Sequence, residues 1–258
     1  MNFLERILDF LIYFFRSKPE GYDIEKYGST HIVLVIIAFA GAIIIYKYRD
    51  KFKNSNKNIL KVFVAILFLQ QFILYFWYIT SGAFSIETSL PLYDCRVAII
   101  CLIYGVFFHN EKSKRIGIYL GFVGSIVALL TPELDKFAFP HYTWISFFVG
   151  HTLLLWVSCY IFFVEKIEIS FKKYTEVFVF TNILHIAIVI FNSLTNCNYA
   201  FLSEPPIFKD VADRLHPITY IAIMMLILNF GLYLVHSYFM KSTSRRIEKT
   251  LAWIANII

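Results

Sequence analysis

Apolar residues run through this chain in long blocks separated by short polar breaks, a pattern that predicts spans near 30–46, 59–80, 90–109, 116–131, 143–164, 175–192 and 218–240. An α-helix needs about 20 predominantly apolar residues to cross about 30 Å of hydrocarbon. Seven such blocks predict an all-α polytopic membrane protein with seven transmembrane helices. The fourth and sixth blocks are short for a full crossing, which snorkelling or local thinning accommodates. Ahead of the first block, Phe3, Leu4, Ile7, Leu8 and Phe14 are interleaved with Glu5, Arg6, Asp9 and Arg16. That is not the basic, then apolar, then cleavable order of a signal peptide. It predicts an N-terminal amphipathic helix lying in the membrane interface. The domain organisation expected is an outer interfacial segment over 1–29, the seven-helix domain over 30–240 and a basic tail over 241–258.

Composition agrees: 59% of the residues are hydrophobic and 16% charged, which excludes a large soluble domain, a disordered chain and a nucleic-acid binder. The net charge of +6 is instead distributed by span. Fifteen lysines and arginines fall in the tail and in the loops after the first, third and fifth spans, against seven on the opposite side, four of those N-terminal. By the positive-inside rule this chain sits in the cell membrane as a multi-pass protein, N-terminus outside and C-terminus cytoplasmic. Gly117, Gly121 and Ser125 at steps of four, with Ser146 and Gly150, read as close helix packing in lipid. No internal repeat favours an inverted-repeat transporter.

A polar side chain at membrane depth needs a partner, water or a task. Gln70 and Gln71 in the second span, Asp94, Cys95 and Arg96 in the third, His151 in the fifth, Asn182 and His185 in the sixth, and Asn229 and His236 in the seventh nearly all fall in the outer half. At a rise of about 1.5 Å per residue, Cys95 lies roughly 8 Å and His151 roughly 12 Å inside the outer ends of their spans. The two can therefore meet in a polar cavity open outward. Cys95 reads either as a small buried hydrophobe or as a thiol activated near a helix N-terminus beside Arg96. His151 is either an interhelical hydrogen-bonding group or a base. Together they form the pattern of nucleophilic acyl transfer. Arg96 can pair with Asp94, with Glu87 or with a lipid phosphate. His141 at the outer boundary can widen the site. The four cysteines have no CxxC pair and the histidines no HExxH spacing, so no metal is expected, and no Walker or GxSxG motif occurs.

The run Leu90-Pro91-Leu92-Tyr93-Asp94-Cys95, with Phe139-Pro140-His141, Gly150-His151 and the loop Asn198-Tyr199-Ala200-Phe201-Leu202-Ser203-Glu204-Pro205-Pro206, resembles the YwaF-like integral membrane proteins, whose animal relative is transmembrane protein 164. The resemblance extends from about residue 30 to about 240. It implies a seven-span bundle and, from the animal member, an acyltransferase loading fatty acyl chains onto lysophospholipids, with Cys95 as nucleophile and His151 as general base. Tyr93 and Asp94 stand where the family has a histidine or glutamine followed by a leucine.

Two functions are thus expected. The first is a membrane-embedded acyltransferase that passes an acyl chain between phospholipids and lysophospholipids through a Cys95 thioester, without a cofactor. In it Gln70, Gln71 or Asn182 donates to the oxyanion, Arg96 holds a phosphate, and His185 and His141 line the substrate site. The alternative is a transporter or solute-binding subunit with an outward-facing polar cavity.

Overall fold

The computed structural model describes residues 2–22, 25–54, 58–205, 209–212 and 214–255. Lys57, Pro206 and the side chains of Arg245, Arg246 and Lys249, used in the sequence reading, lie outside that set. The described chain is helical, with no strand among the described residues: α1 (Phe3–Phe14), α2 (Ser29–Lys47), α3 (Arg49–Asn54), α4 (Ile59–Thr80), α5 (Asp94–Phe107), α6 (Glu111–Leu130), α7 (Tyr142–Tyr160, continued by a π-helical turn over Ile161–Glu165), α8 (Phe171–Thr195), α9 (Lys209–Ala212) and α10 (Pro217–Ala255). Six of these, α2, α4, α6, α7, α8 and α10, are long and apolar enough to cross a membrane.

The third expected span differs. Its helix starts only at Asp94, because Pro91 biases the residue before it out of the helical region and Tyr93 is extended at φ −78°, ψ 140°. The 14 residues of α5 cover about 21 Å at 1.5 Å per residue, less than the hydrocarbon thickness. The spans expected to be short are longer instead. α6 has 20 residues and α8 has 25, because charged residues that hydropathy scores against a span are taken into the helix. In α6 the buried Lys114 sits 2.9 Å from Glu165 and 3.1 Å from Glu111.

The described residues form two compact units, one ending at Lys166 and one beginning at Ile167. In the first, α7 is the central helix, packed by α2, α4, α5 and α6. Small residues set those approaches. A Cβ on Gly41 would overlap the indole of Trp156, one on Gly117 would meet Leu102 of α5, and one on Gly121 would lie 2.5 Å from Ser158 Oγ of α7. Between lipid-solvated helices such contacts supply the association energy that a hydrophobic effect does not.

α1 is closed by a capping box in which Asn2 and Glu5 bond each other's backbone amides. None of its residues is buried, and Phe3 and Leu4 are 76% and 74% exposed. Its C-terminal end is fixed: Phe14 and Phe15 pack on Trp77, Phe137 and Tyr142, and Trp77 Nε1 donates to the Phe15 carbonyl at 2.8 Å. Arg16 pairs with Glu20 and donates to the carbonyls of Ala138 at 2.6 Å and Pro140 at 3.0 Å.

In the second unit, α8 and α10 are joined by a reciprocal amide pair, Asn182 and Asn229, each donating to the other at 2.9 Å. The Asn192 side chain bonds both the amide and the carbonyl of Tyr199 at 3.0 Å, and the Asn198 side chain ties down Ser203 and Glu204. These bonds hold Ala200 and Phe201 at φ 54° and 53°, a left-handed conformation unusual for residues with a Cβ.

Candidate functional site

The sequence placed Asp94, Cys95 and Arg96 at membrane depth, and the structure gives Arg96 a definite set of partners. Its Nη1 donates to the carbonyls of Thr88 at 2.8 Å and Leu90 at 3.1 Å, and its Nη2 to Tyr78 Oη at 3.4 Å. The guanidinium also lies 5.6–6.0 Å from the ring centres of Tyr93, Tyr75 and Tyr78. Arg96 thus satisfies two carbonyls of the irregular segment leading into α5. The Tyr75 hydroxyl is also within hydrogen-bonding reach of the guanidinium, and the Asp135 carboxylate, bonded to Tyr78, lies near enough to act on its charge.

Cys95, half-buried in the first turn of α5, lies directly over Gly124 of α6: a Cβ there would be 3.3 Å from the Cys95 Cβ and backbone nitrogen. Asp94, on the same turn, adds a carboxylate one position away. On α7, the His151 ring lies 4.3 Å from that of Phe147, and its Nδ1 is 2.7 Å from the Phe147 carbonyl oxygen. A carbonyl only accepts, so Nδ1 carries the proton and Nε2 is the ring's basic nitrogen.

Gln70 and Gln71 point apart, as neighbours 100° apart on a helix must. Gln70 is buried against α7: its Oε1 accepts from Ser146 Oγ at 2.7 Å, and its main-chain carbonyl accepts from Tyr142 Oη at 2.7 Å. Its Nε2 fills the space left by Gly150, 3.1 Å from where a Cβ would be. That nitrogen is buried and has no hydrogen-bond partner among the described residues. Through Gly150 that amide lies one position in sequence from His151.

Gln71 faces outward instead, into a groove of about 430 Å³ between α4 and α5. Phe68, Gln71, Phe72 and Tyr75 form one wall at i, i+3, i+4 and i+7, and Arg96, Ile99, Ile100, Ile103 and Tyr104 form the other. The helical spacing of these residues was visible in the sequence, but that two such stripes face each other was not. Tyr75, Tyr78 and Gly124 were likewise missed, since nothing in their local sequence ties them to Arg96 or Cys95.

The other expected residues have structural partners. His141 is fully buried and N-caps α7. Its Nε2 donates to the Arg16 carbonyl at 3.0 Å, while Nδ1 accepts from the Thr143 hydroxyl at 2.8 Å and from its amide at 3.3 Å. Its ring stacks on Phe137 at 3.8 Å. Burial pushes its pKa below the ordinary histidine value. With both nitrogens engaged and no exposed surface, it offers a substrate nothing. Asn182 is held by Asn229 in the second unit, His185 is buried there, and the His236 ring stacks on that of Tyr174 at 4.3 Å. Among the described residues no three His, Cys, Asp or Glu side chains converge as a metal site.

No curated protein and no solved structure matches the chain. The model of the TMEM164 family, however, matches residues 26–236, from the approach to α2 into α10. That stretch contains the Leu90–Cys95 run, Gln70, Arg96 and the Gly150–His151 pair, and by this match over most of its length the chain belongs to the TMEM164 family, as a multi-pass membrane protein.

Proposed function

We propose that this protein is a lipid acyltransferase working through Cys95 and His151. What supports the reading is that α4, α5 and α7, helices of one packed unit, carry the groups such chemistry needs: a thiol in the first turn of α5, a histidine whose hydrogen bond leaves Nε2 basic, and the Gln70 amide against Gly150. The sequence of steps is that of covalent acyl transfer. His151 Nε2 takes the Cys95 proton as the sulfur adds to the ester carbonyl of a phospholipid. Gln70 Nε2 donates to the oxyanion, and collapse expels the lyso-lipid oxygen, which receives the proton back from His151. In the second half, His151 deprotonates the hydroxyl of an incoming lyso-lipid. Attack on the thioester then releases the new ester and restores the thiol. A preorganised donor to the oxyanion contributes about 3–4 kcal/mol to such a barrier.

The reading includes the membrane topology. α5, extended by the Leu90–Tyr93 segment whose Leu90 carbonyl Arg96 satisfies, acts as the seventh crossing, which puts the N-terminus outside and the basic tail inside. α1, anchored at Phe14–Arg16 and exposed elsewhere, then rests on the outer interface. The solute-carrier alternative has less support, because the described groove is walled mainly by apolar side chains rather than by the polar lining a solute would need.

The test is purified protein in phosphatidylcholine vesicles with a chain-labelled phospholipid and an unlabelled lyso-lipid. Label should move to the acceptor, fall by a factor of about 10²–10⁴ in His151→Gln, and vanish in Cys95→Ala, with both variants melting like the parent. Transfer that survives Cys95→Ala refutes the mechanism.

A further inference from the structure

Lys114 and Arg115 fall just ahead of the fourth expected span, yet both lie inside α6, at its fourth and fifth positions, and both are buried, at 6% and 5% exposure. Their settings differ. Lys114 is neutralised by Glu111 at 3.1 Å and by Glu165 at 2.9 Å, the latter at the end of the π-helical turn that continues α7. Arg115 is one residue on, about 100° around the helix. It forms no ion pair or hydrogen bond among the described residues: its Nε is enclosed without a partner, and the two carboxylates that meet this turn are paired with Lys114. The start of α6 also carries the positive end of the helix dipole, to which a cation is poorly matched. A buried charge left unpaired in such a place is among the most costly features a folded chain can keep.

We infer that Arg115 anchors an anion site at this end of the first unit, where it takes a phosphate group that is no part of the acyl-transfer chemistry. The guanidinium is a planar fork that matches the oxygens of a phosphate two at a time. Its height fits: the fifth residue of α6 lies about 6 Å from the start of the helix, at the level of a membrane's polar surface rather than its hydrocarbon. The surroundings fit as well. Lys112, Lys114 and Arg115 outnumber Glu111 and Glu165, and α3, which carries Arg49, Lys51 and Lys53, packs on the same π-helical turn. The site is separate from the thiol. Gly124, which packs against Cys95, is nine residues further along α6, about 13.5 Å. An anionic lipid headgroup and a free phosphate ion share the chemistry Arg115 lacks, and the test below separates the two sources.

The experiment melts the full purified chain in uncharged maltoside micelles with one of two probes, sodium phosphate or dioleoyl phosphatidic acid. The controls are sodium chloride at equal ionic strength and diacylglycerol at equal mole fraction. The expected result is a rise in Tm of roughly 5–10 °C at about a hundredfold excess of probe over its Kd. A rise with sodium phosphate identifies a free ion as sufficient, and a rise with phosphatidic acid alone identifies a headgroup. Arg115→Met removes an unpaired buried charge and should melt no lower than the parent without probe, but show no rise. Arg115→Lys keeps the charge without the fork and should bind the probe about tenfold more weakly, while Lys112→Ala, at an exposed neighbour, should leave the rise unchanged. No rise with either probe, an equal rise from chloride or diacylglycerol, or a rise that persists in Arg115→Met overturns the inference. None of these readouts involves acyl transfer, so the anion site and the acyltransferase reading stand or fall separately.

Discussion

Gly41→Ala is a sharp test of how the bundle is held. An added Cβ would lie 2.5 Å from Trp156 Nε1 and would overlap the adjoining ring carbons. Ordinary carbon contacts lie at about 3.5–4.0 Å, so α2 and α7 must part by roughly 1 Å or the indole must swing. If it swings, it gives up its 2.8 Å hydrogen bond to the Ala38 carbonyl. Overpacking of this kind costs about 1–3 kcal/mol and the lost hydrogen bond about 0.5–1.5. The better helix propensity of alanine returns about 1 kcal/mol. The net expectation is destabilisation by about 1–3 kcal/mol, measured by denaturant unfolding of the chain in detergent micelles. Trp156→Leu removes the obstacle, so Gly41→Ala should cost far less in that background, a coupling of at least about 1 kcal/mol in a double-mutant cycle. A Gly41→Ala protein as stable as the parent, or strict additivity with Trp156→Leu, would show that this approach is not what joins α2 to α7.

Two further outcomes are expected. Protonating His141 places a hydrogen on Nδ1, which accepts from Thr143 twice, and burial holds its folded pKa below the ordinary 6.5 despite the opposing effect of Glu20. The unfolded chain therefore binds the proton first, so stability should fall as pH drops below about 6.5, and His141→Asn, which keeps a capping acceptor, should flatten that dependence in pH-resolved melting curves. Asn182→Leu strands the Asn229 amide and should weaken the α8–α10 contact by about 0.6–1.7 kcal/mol, with Asn182→Leu/Asn229→Leu recovering part of the loss in the same unfolding assay.

What the sequence determined by itself is the class of protein and the place of its helices. Blocks of apolar residues set α2, α4, α7 and α8 to within a few residues, because burial of a helix in lipid is a local property of composition and length. It also marked the residues that matter at depth, since a polar group in an apolar block stands out wherever it points. It could not say which way each points. Gln70 turned to α7 while Gln71 turned to the groove, and His141, alike in type to His151, became a helix cap with both nitrogens engaged. The late start of α5 and the carbonyls that Arg96 satisfies depend on where the 81–93 segment lies against Tyr78. Those choices rest on contacts between helices far apart in the chain, and only the packed tertiary structure decides them.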